Sequence, residues 1–143
     1  SLFPSTATAG AAYAVVTLYT TITSSNIICL DDTTANEKHQ LYYNGGYIAV
    51  TVDGGASQAL FVALGVDTAG ATSKVAYAWA SNSIAGVRNG GTVYTDASAT
   101  MPTTTRVVIG SAAAGQGSLN SHLKAVMILP RRMSNAELQA VTA

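Results

Sequence analysis

Alternation with a period of two residues, interrupted at short intervals by glycine, asparagine or aspartate, runs through most of this chain. Tyr13, Val15 and Thr17 alternate with Ala14, Val16 and Leu18; later Val75, Tyr77 and Trp79 alternate with Ala76, Ala78 and Ala80. Such a period sends successive side chains to opposite faces of an extended strand. Large residues on one face and alanines on the other suit a strand with a packed inner face. Asn44-Gly45-Gly46, Asp53-Gly54-Gly55 and Asn89-Gly90-Gly91 mark turns, because these residue types accept positive φ at little cost. Around them the spacing predicts strands at 13–18, 26–30, 37–43, 47–52, 58–64, 73–80, 83–88, 92–96, 106–110 and 119–129. Short strands at this spacing make an all-β sandwich or barrel.

One element breaks the pattern. After Pro130-Arg131-Arg132-Met133 comes Ser134-Asn135-Ala136-Glu137, a capping box in which the Ser134 hydroxyl accepts from the Glu137 amide and the Glu137 carboxylate reaches back. Leu138 and Val141 then give a helix over about residues 135–142 one apolar stripe, with Met133 just ahead of the cap. We expect this helix to close the sandwich. At 143 residues the chain suits one domain, 1–143, and because it starts at Ser1 without Met we expect it to be the C-terminal part of a longer protein.

Charge narrows the function. Only 10% of residues are charged, where about a quarter is usual, and seven basic side chains cancel seven acidic ones. No basic surplus is present to neutralise phosphates, which argues against nucleic acid as a partner. No run approaches the ~20 apolar residues that span a bilayer, so no membrane insertion is expected. A surface of Thr, Ser, Ala and Gly offers little repulsion between copies of itself, which favours life in an assembly. The alanine face of 73–80 and the Ser/Thr-rich segments 17–25 and 99–105 are the surfaces that would meet such copies. Cys29 is the one cysteine and sits in Ile27-Ile28-Cys29-Leu30, where a small buried thiol is the natural reading.

The C-terminal motif carries a family resemblance. Asn120-Ser121-His122-Leu123-Lys124, an apolar strand, then Pro130 to Ala140 resembles the end of concanavalin A-like domains of phage virion proteins. There the pattern reads N-G-H-I, a strand, and P-R-R-L-S-x-A-E-L-Q-A-L. Leu30-Asp31-Asp32 with Thr33-Thr34-Ala35-Asn36 is similar to that family's L-D-D-G-T-A-N, and Val87-Arg88-Asn89-Gly90-Gly91 to its V-N-G-G hairpin. Ser121 replaces the family's Gly, and Ile128 and Leu129 stand where aromatics are frequent, so a stacking role there does not transfer. The resemblance implies a jelly-roll β-sandwich of the concanavalin A or laminin-G kind, closed by one short C-terminal helix. It also implies a place on a phage head or tail, as a decoration or tail-fibre module.

Candidate chemistry is sparse. A retaining glycosidase on this sandwich needs two carboxylates ~5 Å apart, as an E-x-D-x-E strand would supply. Glu37 and Glu137 are the only glutamates, Glu137 belongs to the cap, and adjacent Asp31 and Asp32 face opposite ways in a strand. His39 and His122 lie outside any nucleophile motif and read as half-buried structural imidazoles. No catalytic residue is assigned and no cofactor is expected. If any ion is held it is calcium, which laminin-G-like sandwiches bind at a rim, with Asp31, Asp32 and Asp53 as oxygen ligands. Tyr42, Tyr43, Tyr47 and Tyr94 border the Gly-rich turns and are the candidates for stacking on sugar. The leading expectation is therefore a non-enzymatic virion structural module, partnered by other virion proteins and by copies of itself, first of all as a trimer. The alternative is a glycan-binding adhesin that recognises a host surface glycan, and a polysaccharide-degrading enzyme comes third.

Overall fold

The computed structural model describes residues 8–19, 25–61, 64–111 and 117–143. Along the chain run β1 (Ala9–Leu18), β2 (Ser25–Asp31), β3 (Lys38–Tyr43), β4 (Tyr47–Asp53), β5 (Ala56–Phe61), β6 (Thr72–Ala80), β7 (Ile84–Arg88), β8 (Tyr94–Asp96), β9 (Arg106–Ile109), β10 (Ser121–Leu129) and α1 (Asn135–Thr142). The strands form two antiparallel five-stranded sheets, β10-β1-β6-β7-β8 and β5-β4-β3-β2-β9. This is the expected jelly-roll β-sandwich with one short C-terminal helix. The predicted strand 58–64 corresponds to β5, two of its positions, 62 and 63, lying outside the described residues. Asn89 (φ 49°) and Gly90 (φ 64°) turn the β7–β8 hairpin, with the Gly91 amide donating to the Arg88 carbonyl, as the motif predicts.

The inner faces meet in one core. Ala12, Ala14, Val16 and Leu18 of β1 and Val75, Tyr77 and Trp79 of β6 pack against Ile28, Leu30, Leu41, Tyr43, Tyr47 and Ala49 of the other sheet. Ala12 lies opposite Tyr77 and Ala14 opposite Val75, so small partners leave room for large ones. The fit is tightest where Gly10 faces Trp79, since a Cβ on Gly10 would sit 2.4 Å from indole Cζ2. Trp79 is only 1% exposed and has nowhere to retreat. Gly10→Ala should therefore cost about 1–3 kcal/mol by overpacking, read as a lowered urea midpoint; an unchanged midpoint would mean that the indole gives way freely.

His39 is fully buried rather than half-buried. Its Nδ1 lies 2.8 Å from Thr51 Oγ1, and its ring stacks on Trp79 at 4.4 Å. Thr51 also bonds the Tyr77 hydroxyl. His39 Nε2 and Trp79 Nε1 have no hydrogen-bond partner among the described residues. Burial holds the imidazole pKa down at about 3.

The helix does not fill the gap between the sheets. It lies on the outer face of β6 and β7, where Leu138 and Met133 bury Ala11, Ala76, Ala78, Ala85 and Val87 in a second, smaller core. The capping box is present, with Glu137 N donating to Ser134 Oγ (3.2 Å) and Ser134 N to Glu137 Oε2 (2.7 Å). Gly90 N donates to Thr142 Oγ1 and Gln139 Nε2 to the Gly91 carbonyl, pinning the helix to the hairpin turn. Ala76 and Ala78 are thus under α1, and they are not a surface awaiting another copy. Of the Ser/Thr-rich segment 17–25, residues 20–24 lie outside the described residues.

Candidate functional site

The four candidate tyrosines do not converge. Tyr43 and Tyr47 are core residues, at 2% and 0% exposure, so neither presents a ring for a sugar. Their rings meet edge to face at 5.0 Å, and their hydroxyls donate to the Asp67 carbonyl (3.2 Å) and to Asp67 Oδ2 (2.8 Å). Arg88 pairs with Asp67, donates to Ser73 Oγ (2.9 Å) and lies over the Tyr47 ring at 5.6 Å. Burial, then Asp67, pushes the Tyr47 phenol up, so it stays a neutral donor. This cluster ties the loop around Asp67 to both sheets. Tyr42 is half-buried on the outer face of β3, between Asn26 and Ile48 in register. Tyr94 is exposed on β8, at the edge of the opposite sheet.

The three candidate aspartates are engaged separately. Buried Asp31 pairs with Arg106 and accepts from the Thr33 amide at 2.9 Å. Asp32 accepts from the amide (2.8 Å) and hydroxyl (2.6 Å) of Thr34, bonds that lower its pKa. Asp53 accepts from the Thr100 hydroxyl. Among the described residues no three His, Cys, Asp or Glu side chains form a group that could hold a metal. Both glutamates have structural work: Glu37 accepts from the amides of Gly54 (2.7 Å) and Thr103 (3.0 Å), and Glu137 caps α1 and pairs with Arg131 at 2.8 Å. Cys29 is buried beside Asp31, and burial first, then that carboxylate, pushes its thiol up to about 12. It is no nucleophile.

A different cluster occupies the half of the β10-β1-β6 face that α1 leaves open. Thr17 pairs in register with Thr72 on one side and His122 on the other. The two threonine hydroxyls are 2.6 Å apart, and Lys124 Nζ donates to Thr72 Oγ1 at 3.2 Å. Just past β1, Tyr19 is 50% exposed; its hydroxyl is 2.5 Å from His122 Nδ1 and 3.1 Å from Nε2. The two rings meet edge to face at 4.5 Å. Lys74 lies on the same face two residues beyond Thr72, with Nζ on the backbone oxygen of Ala143. His122 is exposed, not half-buried. An accessible phenol beside an imidazole, two hydroxyls and an ammonium can do what a pyranose requires, an apolar contact on one side and hydrogen bonds around it.

The sequence reading missed this cluster because Tyr19 and His122 are 103 positions apart and Thr17 and Thr72 are 55 apart. One signal was available: Tyr19 continues the parity of Tyr13, Val15 and Thr17, which places it on the outer face.

No family model matches the chain, and no curated protein matches it. Among solved structures it is similar to the CBM40 of Ruminococcus gnavus IT-sialidase (TM-score 0.77, 15% identity, 97% of this chain and 85% of that chain). The same CBM40 bound to α2,3-sialyllactose aligns with TM-score 0.74 at 16% identity, over 94% and 82% of the two chains. Leech intramolecular trans-sialidase aligns with TM-score 0.72 at 15% identity over 96% of this chain, which spans 24% of that enzyme.

These likenesses overturn the virion reading. The fold is shared with carbohydrate-binding and sialidase-associated domains, which displaces the virion location, the decoration role and the virion partners; the trimer, argued by analogy with fibres and spikes, loses its ground with them. The motif that prompted them has a structural explanation. Ser134 and Glu137 cap the helix, Arg131 braces Glu137, Arg132 donates to the Ser83 carbonyl (2.9 Å), and Leu138 fills the second core. The motif specifies how a helix docks on a sheet.

Proposed function

We propose that the chain is a non-catalytic glycan-binding module whose partner is a surface glycan. The observation that carries this is the Tyr19–His122 pair, an exposed aromatic whose histidine partner lies opposite Thr17, with the Thr72 hydroxyl and Lys124 bonded in turn on the open half of one sheet. A sandwich whose similar structures include a CBM40 with sialyllactose bound supports it. The carboxylates are engaged in turns, caps and ion pairs, which leaves a surface suited to holding a saccharide and not to cleaving one.

Binding to an array of neutral and acidic oligosaccharides tests the reading, with Tyr19→Ala as the paired variant. Stacking of this kind contributes enough that the variant should bind about tenfold more weakly or worse. Tyr19 is half exposed, so its melting temperature should move by no more than a degree or two. Equal binding by both proteins would exclude this surface.

A further inference from the structure

The cations of the chain are unevenly committed. Arg88, Arg106 and Arg131 each pair with a carboxylate, on Asp67, Asp31 and Glu137, and Arg132 donates to the carbonyls of Ser83 and Met133. Lys124 pairs with no carboxylate among the described residues, and its Nζ lies by Thr72 Oγ1 on the face that carries Tyr19 and His122; Lys74, on the same face, is held by the Ala143 oxygen. Asp67, in the loop that runs into Thr72, is buried and neutralised by Arg88, and other acids lie elsewhere. Asp53 and Glu37 are bonded by Thr100 and Thr103, and Asp96 lies opposite Ile84, at the far end of the sandwich from Thr17 and Thr72. A chain of zero net charge therefore presents one face whose local charge is positive.

We infer that this face takes an anionic saccharide, one bearing sulfate or uronate groups, and reads its charge through Lys124, an assignment that rests on the glycan-binding reading. The kind of cation decides the selectivity. A guanidinium fork matches the planar geometry of one carboxylate, whereas an ammonium is a compact point charge that accepts sulfate and carboxylate alike. Every arginine among the described residues is already held by the protein, so the face selects for negative charge on a sugar and not for the shape of one acid. Thr72 Oγ1, 3.2 Å from Lys124 Nζ, positions that ammonium beside the Thr17–Thr72 hydroxyl pair. Because Lys124 is exposed, binding weakens as salt is raised.

Calorimetric titration of the whole chain with a chondroitin sulfate hexasaccharide, 3′-sialyllactose, lactose and a single-stranded DNA oligonucleotide tests this. The sulfated sugar should bind at least as tightly as sialyllactose, both more tightly than lactose, and the DNA should bind poorly for want of matching sugar contacts. Lys124→Gln should weaken the sulfated sugar about three- to tenfold, while Lys38→Gln, on the other sheet, leaves it unchanged. Lactose binding as tightly as the sulfated sugar, with Lys124→Gln silent, overturns the charge selectivity and leaves glycan binding standing. DNA bound as tightly as the sulfated sugar also overturns it, by showing a surface for polyanions in general. If no saccharide binds, both the inference and the reading beneath it fail.

Discussion

Truncation before Ser134 should destabilise the domain more than any single surface change. The deletion would strip Leu138 and the cap from the outer face of β6 and β7, exposing Ala76, Ala78, Ala85 and Val87 to water. Leu138 is completely buried, so Leu138→Ala alone should cost about 2–5 kcal/mol through lost burial and the cavity left behind. Ser134→Ala, which removes only the acceptor for the Glu137 amide, should cost about 0.5–2 kcal/mol. Denaturant melts of the three proteins should therefore rank them truncation, Leu138→Ala, Ser134→Ala. A truncated chain with the parent midpoint would make the helix an ornament.

Acid should destabilise the protein in two stages, and His39 dominates the first. Its native pKa is held at about 3 against an ordinary value of 6.5 by burial alone. The unfolded chain therefore takes up a proton at a pH where the folded chain refuses it. Stability is complete above about pH 6.5 and falls as the pH drops toward 3, by an amount on the order of 5 kcal/mol across the whole window. No charged group contributes to that shift, and Thr51, Tyr77 and Trp79 surround the ring. Carboxylates act lower: Glu137 is held at about 2 against 4.5, first by Arg131 and then by the Ser134 amide, so its contribution is lost only below about pH 4.5. Between pH 6.5 and 4.5 the slope belongs to His39. Stability measured across that interval should slope in the parent and be flat in His39→Phe; equal slopes would place the proton uptake on another group.

Much of the fold is readable one strand at a time, because alternation and turn chemistry are local. Val75, Tyr77 and Trp79 face the core and Ala76 and Ala78 the other way, as their parity requires. Parity cannot say what covers an outer face, so the alanines looked like an interface between copies until α1 proved to lie on them. The same blindness explains the tyrosines. Tyr42 and Tyr43 are neighbours in sequence and point to opposite faces, and the inward one bonds Asp67. His39 was placed correctly on a strand, yet its depth depends on Trp79 stacking from the opposing sheet. The Tyr19–His122 platform exists only because the antiparallel pairing of β1 with β10 brings Thr17 opposite His122. That register joins the two ends of the chain, and no local pattern reports it. The C-terminal motif was legible in full as a helix cap and misleading as a sign of a phage particle.

The most direct measurement is an amide-shift titration of the labelled protein with the tightest saccharide of the array. Glycan binding on the open half of the β10-β1-β6 face predicts shifts at Thr17, Tyr19, Thr72, His122 and Lys124, with Tyr42 and Tyr94 unmoved. Shifts centred on Tyr42 or Tyr94, or a titration in which nothing moves, would contradict it.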